Sequence, residues 1–450
     1  MNDTTTPGTG SGAISAWFTV LMLCIAQVVS TIDRGMLALV VDPVRRDLGI
    51  TDLQIAILQG FAFSFLYVIA GIAMGLIADV VNRKRLLMAG IAVWSAATLA
   101  SGLAESFGHL FAARLFIGIG EAVLAPCAVT MIADLFPVSR RGKPMALYVF
   151  GSMIAFGVGS VITGFILEAA PQGVFDGIGF LEGRAPWRIA FILAGGFGLV
   201  LAAGSVPVKE PVRVEAKVMK GGSNSLRDSI GAMLGNLQIY LPFYLALALF
   251  GVGISVVFYW GPVLLARVFD YPVDQVSKML GLGHIAWAVV GAVAAGVITD
   301  FVARRKGPAG LIGVSAVVSL LGIPTTLAVF AGNGTAAVVL LSGVTFASAV
   351  FGSAMLSVVA EVAPQRTRGL ATALYAFFMT LIGASSGPLL VAYVTERIFG
   401  ADEAVGLSIA IVGTLAFAAC ALFARIAARN LRAWTDRRPE TADSAAAPAY

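Results

Sequence analysis

The 450-residue sequence is poor in charge: Asp, Glu, Lys and Arg together make up 12% of it, whereas apolar residues make up 58%. A soluble domain carries about 25% charged and about 45–50% apolar residues. No soluble core could bury so many apolar side chains, so lipid must be the solvent for most of the surface. The composition therefore excludes a water-soluble enzyme or binding domain.

The sequence also has few residues that could hold a metal or perform covalent chemistry, with 3 Cys and 2 His. Cys24, Cys127 and Cys420 fall inside apolar runs without paired spacing, which favours buried thiols over a disulfide or a metal site. The sequence has no phosphate-binding loop and no nucleophile–base pattern. We therefore expect no cofactor, no metal, no ATP-driven pumping and no enzymatic activity.

What the chain does have is a series of long apolar runs. An α-helix crosses a hydrocarbon core of about 30 Å with about 20 residues, and it satisfies its own backbone hydrogen bonds. The runs lack the period-two alternation of a β-barrel. The sequence predicts an all-α polytopic membrane protein with twelve transmembrane helices, at 16–41, 54–79, 86–105, 109–133, 142–167, 187–206, 236–266, 277–301, 309–331, 335–361, 367–395 and 403–426.

Polar segments between these runs predict the domain organisation. We expect an N-terminal tail (1–15), a six-helix bundle (16–206), a linker (207–235), a second six-helix bundle (236–426) and a C-terminal tail (427–450). The N-terminal tail has no Lys or Arg, so it is not a secretory signal, and the first apolar run should remain as a span.

Most basic residues lie in loops on one side of the predicted bundle, for example at 83–85, 140–143, 304–306 and 425–438. The positive-inside rule places that side, with both termini and the linker, in the cytoplasm. Anionic inner-leaflet lipid accounts for the net charge of +5, so we expect membrane lipids and no nucleic acid as partners. We expect a monomer in a bacterial inner membrane.

Two loop motifs occur once in each half. The segment GLIADVVNRK at 75–84 matches GVITDFVARR at 296–305, and DLFP followed by RG matches EVAP followed by RG. The two matches have nearly equal offsets, which predicts two parallel halves, an arrangement associated with alternating-access transporters. Their charged residues are Asp79, Arg83, Asp300 and Arg304 in the first motif, and Asp134, Arg141, Glu361 and Arg368 in the second.

These motifs resemble the major facilitator superfamily over essentially the whole chain. The segment at 75–84 is similar to its signature G-x-x-x-D-x-x-x-R-[RK], with Asn82 where Gly is usual. The strings IDR at 32–34, RLFIGIGEA at 114–122 and ADLF at 133–136 look most like spinster-type transporters, whose eukaryotic members are associated with export of lysolipids and sphingoid-base phosphates. The second string is also similar to one in organic-anion symporters. The resemblance implies a secondary transporter.

Four ionisable residues lie well inside predicted helices 1 and 4: Asp33, Arg34, Arg114 and Glu121. Each costs about 2.5–3.5 kcal/mol at mid-span, so a set without a purpose is not expected. At 1.5 Å per residue, the helix 1 charges lie between the helix 4 charges in depth. We expect Asp33 and Glu121 to exchange protons, while Arg34 and Arg114 pair with them or bind an anionic substrate. The alternative is that the four residues are structural ion pairs only.

Predicted helices 7, 10 and 11 have no charge near mid-span but are rich in aromatic residues. We predict an apolar cavity wall formed by Tyr240, Phe243, Tyr244, Tyr259, Met355 and Tyr375. A charged wall opposite an apolar one suits an amphipathic, lipid-like substrate, moved by proton-coupled alternating access. The alternatives are an organic-anion symporter and a non-transporting receptor on the same fold. We expect the eight charged residues of the loop motifs to form a cytoplasmic gate.

Overall fold

The structure, a computed structural model, describes residues 11–211, 235–362 and 368–436. This part of the chain is almost entirely helical and has no β-strand, as predicted for an all-α protein. Most of the predicted tails and linker lies outside the described residues. We number the membrane-length helices α1 (Ser11–Leu39), α2 (Asp52–Val80), α3 (Arg83–Gly102), α4 (Phe107–Leu135), α5 (Gly142–Ala169), α6 (Pro186–Gly204), α7 (Leu237–Arg267), α8 (273–306), α9 (308–326), α10 (334–362), α11 (368–399) and α12 (Val405–Asp436).

Eleven helical stretches in the described ranges are long and apolar enough to cross a membrane, and the longest of them, 273–326, consists of two helices, α8 and α9, that meet at a kink. The only break between them is Gly307, which has a positive φ of 57°. A break is therefore present where the sequence predicts one, between residues 301 and 309, but it is shorter than predicted because α8 continues to residue 306. The structure also has a short helix after α1, Val41–Leu48, and α12 continues well beyond its predicted end at 426.

Several helices begin where a polar side chain caps the first turn. Thr51 and Gln54 form a reciprocal capping box at the start of α2. The Asn82 side chain accepts a hydrogen bond from the Arg85 backbone N–H at 2.9 Å, and so begins α3. This cap gives a physical role to an asparagine at a position where the superfamily signature usually has glycine.

The two ends of the bundle can be distinguished by which helix termini they hold. Near one end, Trp17 of α1 packs against Phe136, which follows α4, and Asn430 of α12 donates to the Gln238 carbonyl of α7. We call this end the terminal face, because α1 begins and α12 ends there. The other end holds the connection between α1 and α2, and we call it the α1–α2 face.

Helices α1–α6 pack mainly on one another, as do α7–α12, and the largest contact between the two sets is α5 against α8. Small residues allow this close crossing. A Cβ atom added at Gly157 would lie 2.7 Å from the carbonyl oxygen of Gly281. Backbones of the two halves therefore touch without intervening side chains.

A network of ion pairs joins the two halves at the α1–α2 face. Arg267, at the end of α7, lies 2.6 Å from Asp42 and 2.7 Å from Asp52. Arg45 lies 3.1 Å from Asp52 and 2.9 Å from Asp402, which precedes α12. Ion pairs between described residues of the two halves all lie at this face. The bundle is therefore closed there.

Candidate functional site

The two helices predicted to bring intramembrane charges together, α1 and α4, do so. The Nε atom of Arg34 on α1 lies 2.8 Å from Oε2 of Glu121 on α4. The Glu121 side chain is fully buried, whereas the Arg34 side chain is 28% exposed. The arginine is therefore the member of the pair that faces open space.

The Arg34 guanidinium is held by α1 itself and by α2. Its Nη2 atom donates to Ser30 Oγ at 2.9 Å. The Cζ atom of the guanidinium lies 5.4 Å and 5.5 Å from the ring centres of Phe63 and Tyr67. A Cβ atom added at Gly118 would lie 2.6 Å from the Phe63 carbonyl oxygen, so this glycine allows α2 to approach α4. The sequence analysis did not identify the aromatic pair, although its spacing of four residues places both rings on one helical face.

Asp33 lies on a different side of α1 from Arg34. Thr98 of α3 donates to its Oδ2 atom at 3.1 Å, and Arg114 of α4 donates to its backbone carbonyl at 3.3 Å. The Arg114 guanidinium also lies 5.8 Å from the Phe191 ring. In the described part of the chain, Asp33 Oδ1 and Arg114 Nε and Nη2 are buried without a hydrogen-bond partner. Of the four charged residues, Arg34 and Glu121 thus form a close ion pair, whereas Arg114 contacts Asp33 only through its backbone.

A pocket of about 380 Å³ lies between the two halves, which we call the central pocket. Helices α1, α5, α7, α8, α10 and α11 contribute to its wall. Its size lies at the lower end of the range for small-molecule sites, about 300–1,000 Å³. The side chains that define it best are Thr31, Arg34, Phe156, Phe258, Tyr259 and His284.

The pocket wall also contains a cluster of aromatic rings that includes His284. Phe156 packs edge-to-face on Phe258 and on His284, each at 4.9 Å between ring centres. The His284 Nδ1 atom lies 2.6 Å from Thr345 Oγ1. His284 is not among the site residues predicted above, since a lone helical histidine is more often a packing residue. The one feature of the sequence that could have indicated a role for His284 is a polar side chain inside an otherwise apolar run.

Of the six residues predicted to form the apolar wall, the structure places only Tyr259 on the central pocket. Tyr240, Phe243 and Tyr244 lie four to five turns earlier on α7, about 22 Å or more along the helix from Tyr259. Tyr244 instead donates to the Ala371 carbonyl at 3.2 Å. Met355 is fully buried and Tyr375 is half-buried, both away from the pocket lining.

Among the predicted gate residues, Arg83 makes the strongest contacts. It lies 2.6 Å from Asp134 and 3.0 Å from Glu210, which follows α6. Arg83 therefore joins α3, α4 and the segment after α6 within the first half. The sequence analysis did not identify Glu210, since it lies in a polar stretch without a motif.

The remaining gate residues are spread over the terminal face. Asp79, Asp300 and Arg304 are exposed and form no ion pair with a described residue. Arg141 Nε donates to the Phe136 carbonyl at 2.8 Å. The side chains of Glu361 and Arg368 lie outside the part of the structure that is described. The described residues include no cluster of three or more His, Cys, Asp or Glu that could hold a metal.

Two sets of long apolar helices, with buried charges and a pocket between the sets, define a polytopic membrane transporter. A family model described as Major Facilitator Superfamily matches residues 23–388. The chain belongs to this superfamily. It is therefore a multi-pass integral membrane transporter and not an enzyme.

Comparison with named proteins gives similar relatives of several kinds. An MFS-type efflux pump of Mycolicibacterium smegmatis is 25% identical over 393 residues, which is 86% of each chain. Protein spinster of Drosophila melanogaster is 28% identical over 232 residues, which is 50% of this chain and 35% of that protein. A probable galactarate/D-glucarate transporter of Bacillus subtilis is 24% identical over 413 residues, covering 84% of this chain and 86% of that one.

A solved structure shows the same fold. It is a bacterial homologue of the human lysosomal transporter spinster, in an inward-facing and unoccupied conformation. It superposes with a TM-score of 0.79 at 20% identity, covering 96% of this chain and 100% of that chain. The predicted resemblance to spinster-like members of the superfamily is confirmed, and the bacterial relatives fit an inner-membrane location.

Proposed function

We propose that this transporter moves an amphipathic, lipid-like anion by proton-coupled alternating access. The proposal assigns proton exchange to Glu121 and Asp33, and binding of the substrate's anionic group to Arg34. Arg114 holds the α1 backbone beside Asp33 at 3.3 Å. We further propose a monomer whose halves, 16–206 and 236–426, move against each other around the central pocket.

The observation that supports this most directly is the ion pair between Arg34 and Glu121. Ionisable side chains inside a membrane are costly and mark substrate or ion pathways. A bound anion would compete with Glu121 for the guanidinium, because only Arg34 faces the pocket. Glu121 would take up a proton when it loses this partner. Substrate binding and protonation would then be linked at a single pair of side chains.

The pocket wall supports an amphipathic substrate. Arg34 is the one charged residue that lines the central pocket in the described chain, and Phe156, Phe258 and Tyr259 form an aromatic surface. A guanidinium offers a planar fork that suits phosphate or carboxylate. An apolar tail would gain about 0.8 kcal/mol for each methylene that it buries. The polar pair of His284 and Thr345 would contact the substrate between these two regions.

Alternating access needs a closed state at each face. The ion pairs of Arg45 and Arg267 close the α1–α2 face, which we propose to be the outer side, with the terminal face towards the cytoplasm. In the opposite state we propose that the terminal face closes. Its motif charges on the two halves, among them Asp79 and Arg304, would then form the gate.

Binding across one head group with graded chain lengths tests the substrate class. Alkyl phosphates of four to sixteen carbons, added to the purified protein, should bind more tightly with each added carbon until the pocket is full, about severalfold per carbon at most. A series of alkanols with the same chain lengths lacks the phosphate, so it separates the contribution of the head group to binding from that of the tail. A flat or falling series for the phosphates would overturn the amphipathic substrate.

A second candidate is a proton-coupled organic-anion symporter. It is favoured by the similarity to the galactarate/D-glucarate protein and by the small volume of the central pocket, about 380 Å³. Thr31, Ser152 and His284 also line the wall and could bind hydroxyl groups. This candidate predicts the reverse order in the series, with the shortest and most polar anions binding best.

A further inference from the structure

A second cavity, of about 420 Å³, lies on the other side of α1 from the central pocket. Helix α1 forms its floor, and α5 and α6 form its walls, so we call it the α1–α5–α6 groove. Its lining side chains Ile162 and Phe197 are 46% and 57% exposed on the bundle surface. Exposed apolar side chains on membrane-spanning helices contact lipid, so this groove opens sideways into the bilayer.

Asp33 is the one charged residue that lines the groove within the described chain. Its Oδ2 atom accepts a hydrogen bond from Thr98, whereas its Oδ1 atom is buried and has no partner among the described residues. Arg114 bonds the backbone carbonyl of Asp33 and Arg34 pairs with Glu121, so neither guanidinium forms an ion pair with the Asp33 carboxylate. The floor of the groove therefore holds one buried acceptor that lacks a partner among the described residues, in mostly apolar surroundings.

This arrangement favours one chemical class of ligand. When Asp33 is ionised, its carboxylate oxygens accept hydrogen bonds and cannot donate them, so a ligand that binds this form must bring the donor. A charged ammonium donor makes about twice as strong a bond as a neutral hydroxyl, and it also offsets the carboxylate charge. The remaining wall is mostly apolar, with Val28, Met36 and Leu193 among its side chains, and suits an apolar chain. A carboxylate or phosphate head group would be repelled.

We propose that the α1–α5–α6 groove binds a membrane-dissolved amphiphile with a protonated primary amine and a single apolar chain. The ammonium lies on Asp33 Oδ1, and the chain lies between α5 and α6. The ligand enters from the bilayer rather than through the central pocket. Because Asp33 and Arg34 are adjacent on α1 but line separate cavities, the groove takes cations while the central pocket takes anions.

The test compares dodecylamine, dodecanol and dodecanoate as ligands of the purified full chain, with the rise in unfolding temperature as the measure of binding. Dodecylamine should raise the unfolding temperature most and dodecanoate least. In Asp33→Asn the apparent affinity for dodecylamine should fall about tenfold or more, because the amide lacks the negative charge that the ammonium pairs with. Ala194→Phe fills the groove and should weaken dodecylamine binding to a similar extent.

The control Val200→Phe lies on α6 but outside the groove, at a position 68% exposed, and should bind dodecylamine like the wild type. Equal stabilisation by dodecanol and dodecylamine, or unchanged dodecylamine binding in Ala194→Phe, would overturn the proposal. If Asp33→Asn does not fold, the ligand comparison in the wild type and the Ala194→Phe result still decide. Arg34→Lys should leave dodecylamine binding unchanged, so failure of the central-pocket proposal is distinguishable from failure of this one.

Discussion

Arg34 and Glu121 form a 2.8 Å ion pair in which the arginine is partly exposed and the glutamate is fully buried. A substrate in the central pocket can therefore reach Glu121 only by competing for Arg34. This asymmetry gives a physical basis for linking anion binding to protonation, and it separates the two residues experimentally. Changes at Arg34 should act mainly on binding, whereas changes at Glu121 should act on proton coupling.

Arg34→Lys should weaken binding of an anionic alkyl phosphate about tenfold. Lysine keeps the charge but lacks the planar fork that binds phosphate in two places and the flat guanidinium that lies over Phe63 and Tyr67. Isothermal titration on the purified protein measures the affinity. The matched control is Arg184→Lys, an exposed arginine outside the pocket, which should bind like the wild type. Equal affinity in both variants would exclude Arg34 as the head-group ligand.

Arg267→Gln should open the α1–α2 face. This buried guanidinium joins Asp42 and Asp52 of the first half to α7, and loss of one partner of such a network costs up to about 3 kcal/mol. The population open at this face should rise tenfold or more. Spin labels at Glu105 and Gly332, exposed positions on the two halves, should show a longer mean distance.

The control for this experiment is Arg46→Gln, which removes an exposed arginine of the same face that contacts only the Asp42 backbone carbonyl in the described chain. It should leave the label distance unchanged. If Arg267→Gln and Arg46→Gln give the same distance as the wild type, the ion-pair network does not hold the face closed.

Arg83→Gln should lower the unfolding temperature, because Arg83 joins α3 to Asp134 and Glu210. Hydrogen bonds to charged groups contribute about 1.5–3 kcal/mol, so the loss should be of that order. Differential scanning fluorimetry measures it. Arg85→Gln removes an exposed arginine two positions away and should have little effect. Equal unfolding temperatures for the two variants would show that the Arg83 contacts do not stabilise the first half.

Asp79→Asn should weaken closure of the terminal face. The carboxylate is exposed and forms no ion pair with a described residue in this state, so we expect its contribution only when the terminal face is shut. Spin labels at Ser139 and Lys306 should then show a larger fraction of long distances. An unchanged distribution would leave positive-inside topology as the sole explanation of the repeated motif.

The helices could be predicted from the sequence because the bilayer sets their length and composition directly. The predicted span 236–266 differs from α7 by one residue at each end. Between α8 and α9 the predicted loop is too long, because the basic cluster before the break at Gly307 continues α8. Arg304 and its neighbours remain helical, because a helix can extend past the hydrocarbon core when its side chains are polar.

The site could be predicted in part. Mid-membrane charges are so costly that Arg34 and Glu121 were identifiable from type and depth alone. Contacts that depend on tertiary packing were not, since no local pattern places Phe63 over Arg34 or His284 beside Phe156. Most residues of the predicted apolar wall lie away from the central pocket. Aromatic residues along α7 are ordinary packing material, and composition does not show which turn of the helix meets the pocket.

The central claim is that Glu121 couples the substrate to protons, and transport in proteoliposomes tests it most directly. The best-binding alkyl phosphate should accumulate under a pH gradient with the wild type and with Glu105→Gln, an exposed control. Glu121→Gln keeps the shape of the side chain but cannot take up a proton. We predict that it loses gradient-driven accumulation while retaining exchange of labelled for unlabelled substrate without a gradient. Accumulation at the wild-type level by Glu121→Gln would contradict the account.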